Sequence, residues 1–238
     1  MTETFLDGRV KARQPESGFR SGTDAVLLAA AVPAKARETV LELGAGAGTA
    51  SLCLAARVAG IAVTGVEIDP DLVRLAQQNA AASAQEVRFA AADIFALPPS
   101  LKRDFDQVLA NPPFHGEGAA PPDGGRARAL MDNGDLPQWL SLGLQRTVSG
   151  GFFTTILRAD RLAEALAALP ARGVNILPLW PRAGMAAKRV ILLARKGSRA
   201  PVGLLAGLAL HDAEGRYTPE AEAILRDGAQ LAMDSGRL

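Results

Sequence analysis

Asn111-Pro112-Pro113-Phe114 closes the apolar run Phe105-Asp106-Gln107-Val108-Leu109-Ala110. Two consecutive prolines fix φ twice and remove two amide donors, so a strand that reaches them must stop. The Asn111 amide and the Pro112 carbonyl are then held in set directions at a strand's carboxyl end, beside an aromatic ring. Two convergent acceptors and a ring suit a flat group carrying an NH2, such as adenine, guanine or a carboxamide. Upstream, Gly44-Ala45-Gly46-Ala47-Gly48 separates the apolar segment Val40-Leu41-Glu42-Leu43 from an alanine- and leucine-rich stretch. Alternating glycines between a strand and a helix let the backbone turn tightly under a ligand with amides facing outward. Glu67 ends the next apolar run about 20 residues later, where an acid can accept from both hydroxyls of a ribose. Asp93 ends the run after that. Thr49 stands where a dinucleotide fingerprint wants glycine, and no Gly-Lys-Ser/Thr follows the turn. The pattern favours a nucleoside ligand without a pyrophosphate and disfavours a nicotinamide oxidoreductase.

The elements that must position these residues follow a repeating order. Residues 1–22, with Gly8, Pro15, Gly18 and Gly22, read as an extended arm or hairpin. A helix over 25–32 follows, with Thr23 as its N-cap and Pro33 as its stop. Strands are expected at 40–43, 62–68, 87–90, 105–110, 151–157, 174–179 and 189–194. Helices are expected at 49–58, from Pro70 through Asn79, at 137–147, at 160–169, and at 217–231 beginning on Thr218-Pro219. Alternation with short connections argues for a parallel α/β sheet covered on both faces. No linker divides the chain into two globular halves, so we read one domain: an arm and helix at 1–33, a core at 34–200 and a tail at 201–238. Residues 115–134 lack periodicity, and an irregular stretch of that length is usually functional or disordered.

Composition sets limits. The 238 residues suffice for a full α/β core. Lys plus Arg number 26 against 25 Asp plus Glu, so the net charge of +1 carries little information by itself. The distribution carries more: Arg9, Lys11, Arg13 and Arg20 crowd the N-terminus, and Arg182, Lys188, Arg189, Arg195, Lys196 and Arg199 share a segment without an acid. Such segments suggest a polyanion partner besides a small molecule. One cysteine, Cys53, excludes an internal disulfide, and two distant histidines leave no metal-ligand spacing. No run reaches the ~20 apolar residues of a membrane span, and the polar, charged N-terminus lacks an apolar signal segment, so a reducing cytoplasm is the expected compartment.

The segments Glu42-Leu43-Gly44-Ala45-Gly46-Ala47-Gly48, Gly65-Val66-Glu67-Ile68-Asp69-Pro70, Ala92-Asp93 and Asn111-Pro112-Pro113-Phe114 resemble the successive motifs of the class I S-adenosylmethionine-dependent methyltransferases. The Asn-Pro-Pro-Phe form resembles their amino-methylating branch. The stretch from Gly18-Phe19-Arg20 through Ala29, with Leu208-Ala209-Leu210-His211-Asp212 and Tyr217-Thr218-Pro219, is similar to the bacterial tRNA(Val) adenine-N6 methyltransferase family. That resemblance implies a Rossmann-like fold with a mostly parallel seven-stranded sheet and helices on both faces. It also implies S-adenosylmethionine as cofactor and adenine N6 of an RNA, expected to be tRNA, as acceptor. Guanine N2 of ribosomal RNA and glutamine N5 of a protein remain alternatives, since related enzymes share the Asn111–His115 run or carry Tyr in place of Phe114. A non-catalytic RNA-binding protein with a vestigial cofactor site is the alternative of another class.

Carried over by position, the resemblance puts the turn at Gly44, Gly46 and Gly48 under the methionine and ribose, with Glu42 on the ammonium side. Glu67 takes the ribose hydroxyls, Ile68 packs on the adenine and Asp93 accepts from its amino group. Arg20, Gly22 and Thr23 close the methionine end. Asn111 and Pro112 hold the acceptor amine against the cofactor, and Phe114 stacks on the target base. Pro113 and His115 flank the acceptor; Lys188 and Arg189, from the acid-free basic segment, are expected to contact the RNA.

Overall fold

The computed structural model of the chain describes residues 2–15, 20–113 and 136–233. The expected strand–turn–helix pattern is there, and the strands assemble into one sheet. Strands β3 (Thr39–Leu43), β4 (Ala62–Glu67), β5 (Val87–Ala91), β6 (Phe105–Ala110) and β7 (Thr147–Arg158) run parallel, and β8 (Val174–Arg182) has the same direction. Only β9 (Arg189–Arg195), inserted between β7 and β8, is antiparallel to its neighbours. The order is β5-β4-β3-β6-β7-β9-β8, so the chain winds outward in both directions from β3. Helices α1 (Thr23–Ala31), α2 (Thr49–Arg57), α3 (Pro70–Ala82), α4 (Leu136–Gln145) and α5 (Leu162–Ala168) supply the covering layers. Two clusters of buried side chains result. One, with Leu27, Leu52, Leu109 and Ile156, lies under α1 and α2; the other, with Leu41, Phe105, Leu140 and Phe153, lies under α4.

The sheet has nine strands, not the seven expected. The additions are β10 (Gly203–Leu204) and β11 (Leu208–His211), both parallel to β8. They are separate because Pro178 lies between the two stretches of β8 that they pair with, and a proline has no amide to give a neighbouring strand. Gly207, at φ +86°, brings the chain past this point where a Cβ would lie 2.5 Å from the Pro178 carbonyl.

Several boundaries also differ from those read off the sequence. Gly22, without a side-chain cap, occupies the N-cap of α1, and Thr23 is the first helical residue. Strand β7 begins four residues early, at Thr147, and absorbs a register shift against β6 where Gly150 takes φ +81°. The 160–169 helix is split into a 3-10 turn, Ala159–Arg161, and α5. The expected 217–231 helix is α6 (Pro219–Glu222) running into a π turn, Ala223–Asp227, which ends where Gly228 turns left-handed at φ +68°. Beyond it the chain packs back on α1, the Leu231 amide donating to the Ala30 carbonyl. Residues 115–134 lie outside the described residues. No helix among the described residues is long and apolar enough to cross a membrane.

The N-terminal arm is a hairpin of β1 (Thr2–Phe5) and β2 (Val10–Arg13). It is docked on the core by Leu6 and Val10 and by two side chains of α3 and its cap, Asn79 and Ser83, the latter bonding both the Lys11 amide and carbonyl. Asn79 on α3 accepts from the Arg13 amide at 2.8 Å and donates to the Arg13 carbonyl at 3.0 Å and the Ala47 carbonyl at 2.9 Å. It thus joins the hairpin, α3 and the glycine turn. Asn79→Ala leaves two carbonyls and an amide without these partners, at about 1–3 kcal/mol for each group left unsatisfied. Urea unfolding should show a loss of at least that size; an Asn79→Ala protein as stable as its parent would mean that water replaces the clamp.

Candidate active site

The carboxyl ends of β5, β4, β3 and β6 lie side by side, about 14 Å from first to last at the usual strand spacing. They carry, in that order, Asp93, Glu67, the glycine turn and Asn111. Residues spread over 70 positions of sequence thereby share one edge. The point where winding reverses, between β3 and β6, is where an open α/β sheet leaves a crevice for ligands.

The three glycines of the turn are all left-handed, with φ of +68° at Gly44, +55° at Gly46 and +84° at Gly48. Their reasons differ. A Cβ on Gly44 would lie 2.6 Å from the Trp139 ring, and one on Gly48 would lie 2.5 Å from Phe89. These two are needed for close packing beneath the turn. A Cβ on Gly46 would meet nothing within 4 Å, so this glycine alone opens onto free space.

The turn is tied to β4 by its own amides: Ala45 donates to the Val66 carbonyl at 2.9 Å, and Gly46 to Glu67 Oε2 at 2.8 Å. Glu67 Oε1 accepts from the Asp69 amide at 3.0 Å, and Asp69 in turn caps α3 through the Asp71 amide. Each Glu67 oxygen therefore spends one lone pair on backbone and retains another. Asp93 uses Oδ1 to accept from the Phe95 amide at 2.9 Å, leaving Oδ2 without a hydrogen bond among the described residues. Ile68, which follows Glu67, is half-buried.

Glu42 is buried on β3 and accepts from both the amide and the hydroxyl of Ser51. Burial pushes its carboxyl up to about 8, the Ser51 bonds opposing the rise and the Glu67 charge adding to it. Asn111 follows the last residue of β6; its Oδ1 is buried and has no hydrogen-bond partner among the described residues. Pro112 behind it is buried and Pro113 half-buried. Phe114 and His115 fall outside the described residues. The peripheral residues have other partners: Arg20 pairs with Glu3 at 3.0 Å, and Arg189 with Asp24 at 2.9 Å. Gly22 and Thr23 begin α1 in exposed positions, and Lys188 is exposed.

Sequence reasoning passed over Trp139 and took Asn79 only as a helical residue. Trp139, on α4, underlies Gly44 and meets Phe95 edge-on at a centroid distance of 6.2 Å. An asparagine on the apolar face of α3 was the one available signal for the clamp.

Known proteins match this arrangement. A family model described as the methyltransferase small domain covers residues 18–126. The tRNA1(Val) (adenine(37)-N6)-methyltransferase of Dickeya chrysanthemi is 30% identical over 220 residues, 88% of this chain and 87% of that one. The chain belongs to this methyltransferase family. The enzyme of the same name from Klebsiella pneumoniae is 34% identical over 149 residues, and the alignment spans only 60% of each chain. Among solved structures, a predicted O-methyltransferase from Agrobacterium tumefaciens superposes with a TM-score of 0.71 at 29% identity, covering 88% of this chain and 98% of that one.

Family membership makes S-adenosylmethionine the group to be fitted. Four features of the edge fit it: the open face of Gly46, the spare lone pairs of Glu67, the free oxygen of Asp93 and the orphaned Asn111 oxygen. Gly46→Ala should cost only about 1–2 kcal/mol of stability, the left-handed penalty, yet abolish binding of the cofactor in calorimetry. Gly48→Ala should lose more stability than Gly46→Ala because Phe89 must move. Unchanged cofactor affinity in Gly46→Ala would show that the open face is not the cradle.

Glu42 gives a second test. The folded protein holds its proton more tightly than the unfolded chain, so the stabilisation is complete below about pH 4.5 and is lost as pH rises through about 8. In thermal melts without cofactor, the parent should lose stability over that interval relative to Glu42→Gln; parallel curves would place Glu42 in contact with water.

Proposed function

We propose that the chain transfers a methyl group from S-adenosylmethionine to an exocyclic amine, adenine N6 of a tRNA, in the cytoplasm. The observation that carries this reading is the buried, unpartnered Asn111 oxygen, fixed by two prolines at the end of β6 beside the glycine turn. A buried amide oxygen without a donor is costly, about 1–3 kcal/mol, unless a ligand supplies one. An amine with two hydrogens supplies one for Asn111 Oδ1 and one for the Pro112 carbonyl. The similarly named relatives, aligned over nearly the whole chain in the Dickeya case, support the choice of adenine and tRNA.

The cofactor would be held by Glu67 at its ribose hydroxyls, by Asp93 Oδ2 at its adenine amine and by the open backbone at Gly46. Glu42 and the segment at Arg20, Gly22 and Thr23 would lie toward its methionine end. Bound there, it supplies a methyl group made electrophilic by a sulfonium.

The amino nitrogen of adenine is a poor nucleophile because its lone pair is delocalised into the ring. Accepting both N–H bonds, Asn111 and Pro112 favour a pyramidal nitrogen and aim its lone pair. No side chain need remove a proton before attack, since the nitrogen becomes acidic only as its new bond forms. Positioning of this kind supplies about 7–11 kcal/mol in well-oriented systems. Phe114 would stack on the target base, about 1–3 kcal/mol, offsetting the cost of turning the nucleotide out. A cation beside Glu42 favours its charged form, so cofactor binding should strengthen as pH rises toward 8.

The deciding experiment is incorporation of labelled methyl into total RNA and total protein, followed by nucleoside analysis. N6-methyladenosine in tRNA is expected. N2-methylguanosine, or label in protein alone, would overturn the acceptor assignment. Asn111→Ala should lose at least a thousandfold in kcat with cofactor affinity within twofold of the parent. Near-normal turnover would remove Asn111 from the mechanism.

A further inference from the structure

The site occupies one end of the sheet, and a row of exposed cations without carboxylate partners crosses the other. Lys35 and Arg37 precede β3, Lys102 and Arg103 precede β6, and Arg172 and Arg199 flank the starts of β8 and β10. All six are exposed, and none joins an ion pair among the described residues. Contacts run from strand to strand beneath them. The Arg172 guanidinium donates to the Arg199 carbonyl, Lys196 Nζ to the Thr147 carbonyl, and the Phe105 amide to the Arg146 carbonyl; Arg103 lies over the Phe105 ring. The row thus crosses β8, β9, β7, β6 and β3, about 19 Å at the usual spacing.

Among the described residues, three acids lie along this row. Glu38 and Asp106 are occupied by uncharged donors: the Lys35 amide and Gln107 for the first, the Thr39 amide and hydroxyl for the second. Asp104 is the third, exposed beside Arg103. The row therefore keeps an excess of positive charge.

The arginines paired with acids, among them Arg74, Arg158, Arg189 and Arg216, lie elsewhere on the fold. Arg158 and Arg189 stand at the site's end of the sheet, with Asp160 and Asp24 as their respective partners. Arg182 and Lys188, also at that end, are exposed and join no ion pair among the described residues, so the site's end is mixed, whereas at the far end unpaired cations form a continuous row. A strand of six residues separates the two ends by about 20 Å.

We propose that this row binds the phosphate backbone of the RNA substrate and grips a part of the folded molecule distant from the target base. The inference rests on the reading of the substrate as RNA. A folded RNA longer than the protein is deep can meet both ends at once, whereas a short oligonucleotide bound at the site cannot. Lysine and arginine contacts of this type give affinity without sequence preference and depend strongly on salt.

The test compares the parent with Lys35→Glu/Lys102→Glu/Arg199→Glu, in which no side-chain hydrogen bond or ion pair among the described residues is lost. A control carries the same charge change at Arg161, Arg216 and Arg226. With bulk tRNA at low salt, the triple variant should bind at least tenfold more weakly, and its log Kd against log salt should be shallower by about 2–3 units. KM for tRNA should rise with kcat at saturation unchanged. Affinity for S-adenosylmethionine and for a short oligonucleotide containing the target adenine should stay within twofold, and the control should lose less affinity for tRNA.

Equal tRNA affinity in parent and triple variant would overturn the row while leaving the reaction standing. So would equal weakening of tRNA and oligonucleotide. If the row instead holds a second copy of the chain, the triple variant would abolish a low-salt dimer of the parent without changing tRNA affinity. A parent that neither binds nor methylates RNA would overturn both readings.

Discussion

The hydrogen bond from the Gly46 amide to the Glu67 carboxylate is the constraint on which the site's geometry hangs. It joins a turn with three left-handed residues to the end of the neighbouring strand. Without it, among the described residues the turn would be hydrogen-bonded to β4 through the Ala45 amide on the Val66 carbonyl alone. The same residue reaches two further elements: its second oxygen takes the Asp69 amide at the start of α3, and its carbonyl takes the Ala92 amide just after β5. One glutamate therefore sets the relative positions of β3, β4, β5 and α3. Charge-assisted bonds to backbone amides are among the stronger hydrogen bonds available.

Glu42 and Glu67 show how environment divides two acids of the same kind. Glu67 sits at the rim of the turn, reached by amides from two elements. Glu42 lies one strand away in the buried layer beneath, where desolvation outweighs its bonds to Ser51 and holds its proton to about 8. Holding its proton spares the interior a buried charge.

Much of this was legible in the sequence because the responsible signals are local. Apolar runs ending in glycine, acid or proline mark strand ends, and their fixed succession predicts that β3, β4, β5 and β6 deliver their last residues to one edge. The peripheral assignments were harder because they depend on partners remote in sequence. Arg189 appears as a free cation in an acid-free segment, yet its partner Asp24 is 165 positions away. Arg20 is likewise taken up by Glu3. The docking of the hairpin escaped notice because a helical pattern records which face is buried and not what a polar residue on that face holds. The tail helix was overextended for a different reason. Its apolar spacing continues past Gly228, but the left-handed turn at that glycine ends the helix and sends Leu231 back onto α1.

The polarity of charge follows from the polarity of the sheet. In a parallel α/β fold, helices begin at the carboxyl ends of strands and finish at the amino ends, so acids are favoured at one edge and cations at the other. Asp24, Asp69 and Asp71 stand at the starts of α1 and α3 in agreement with this rule. Lys196, donating to the last carbonyl of α4 at Gln145, agrees with it at the opposite edge. The helix ends account for cations of this kind, which the fold itself uses. They do not account for Lys35, Lys102 or Arg199, whose side chains join no helix terminus and no acid among the described residues. Those three cations are therefore positive charge at the amino edge that the fold itself does not use.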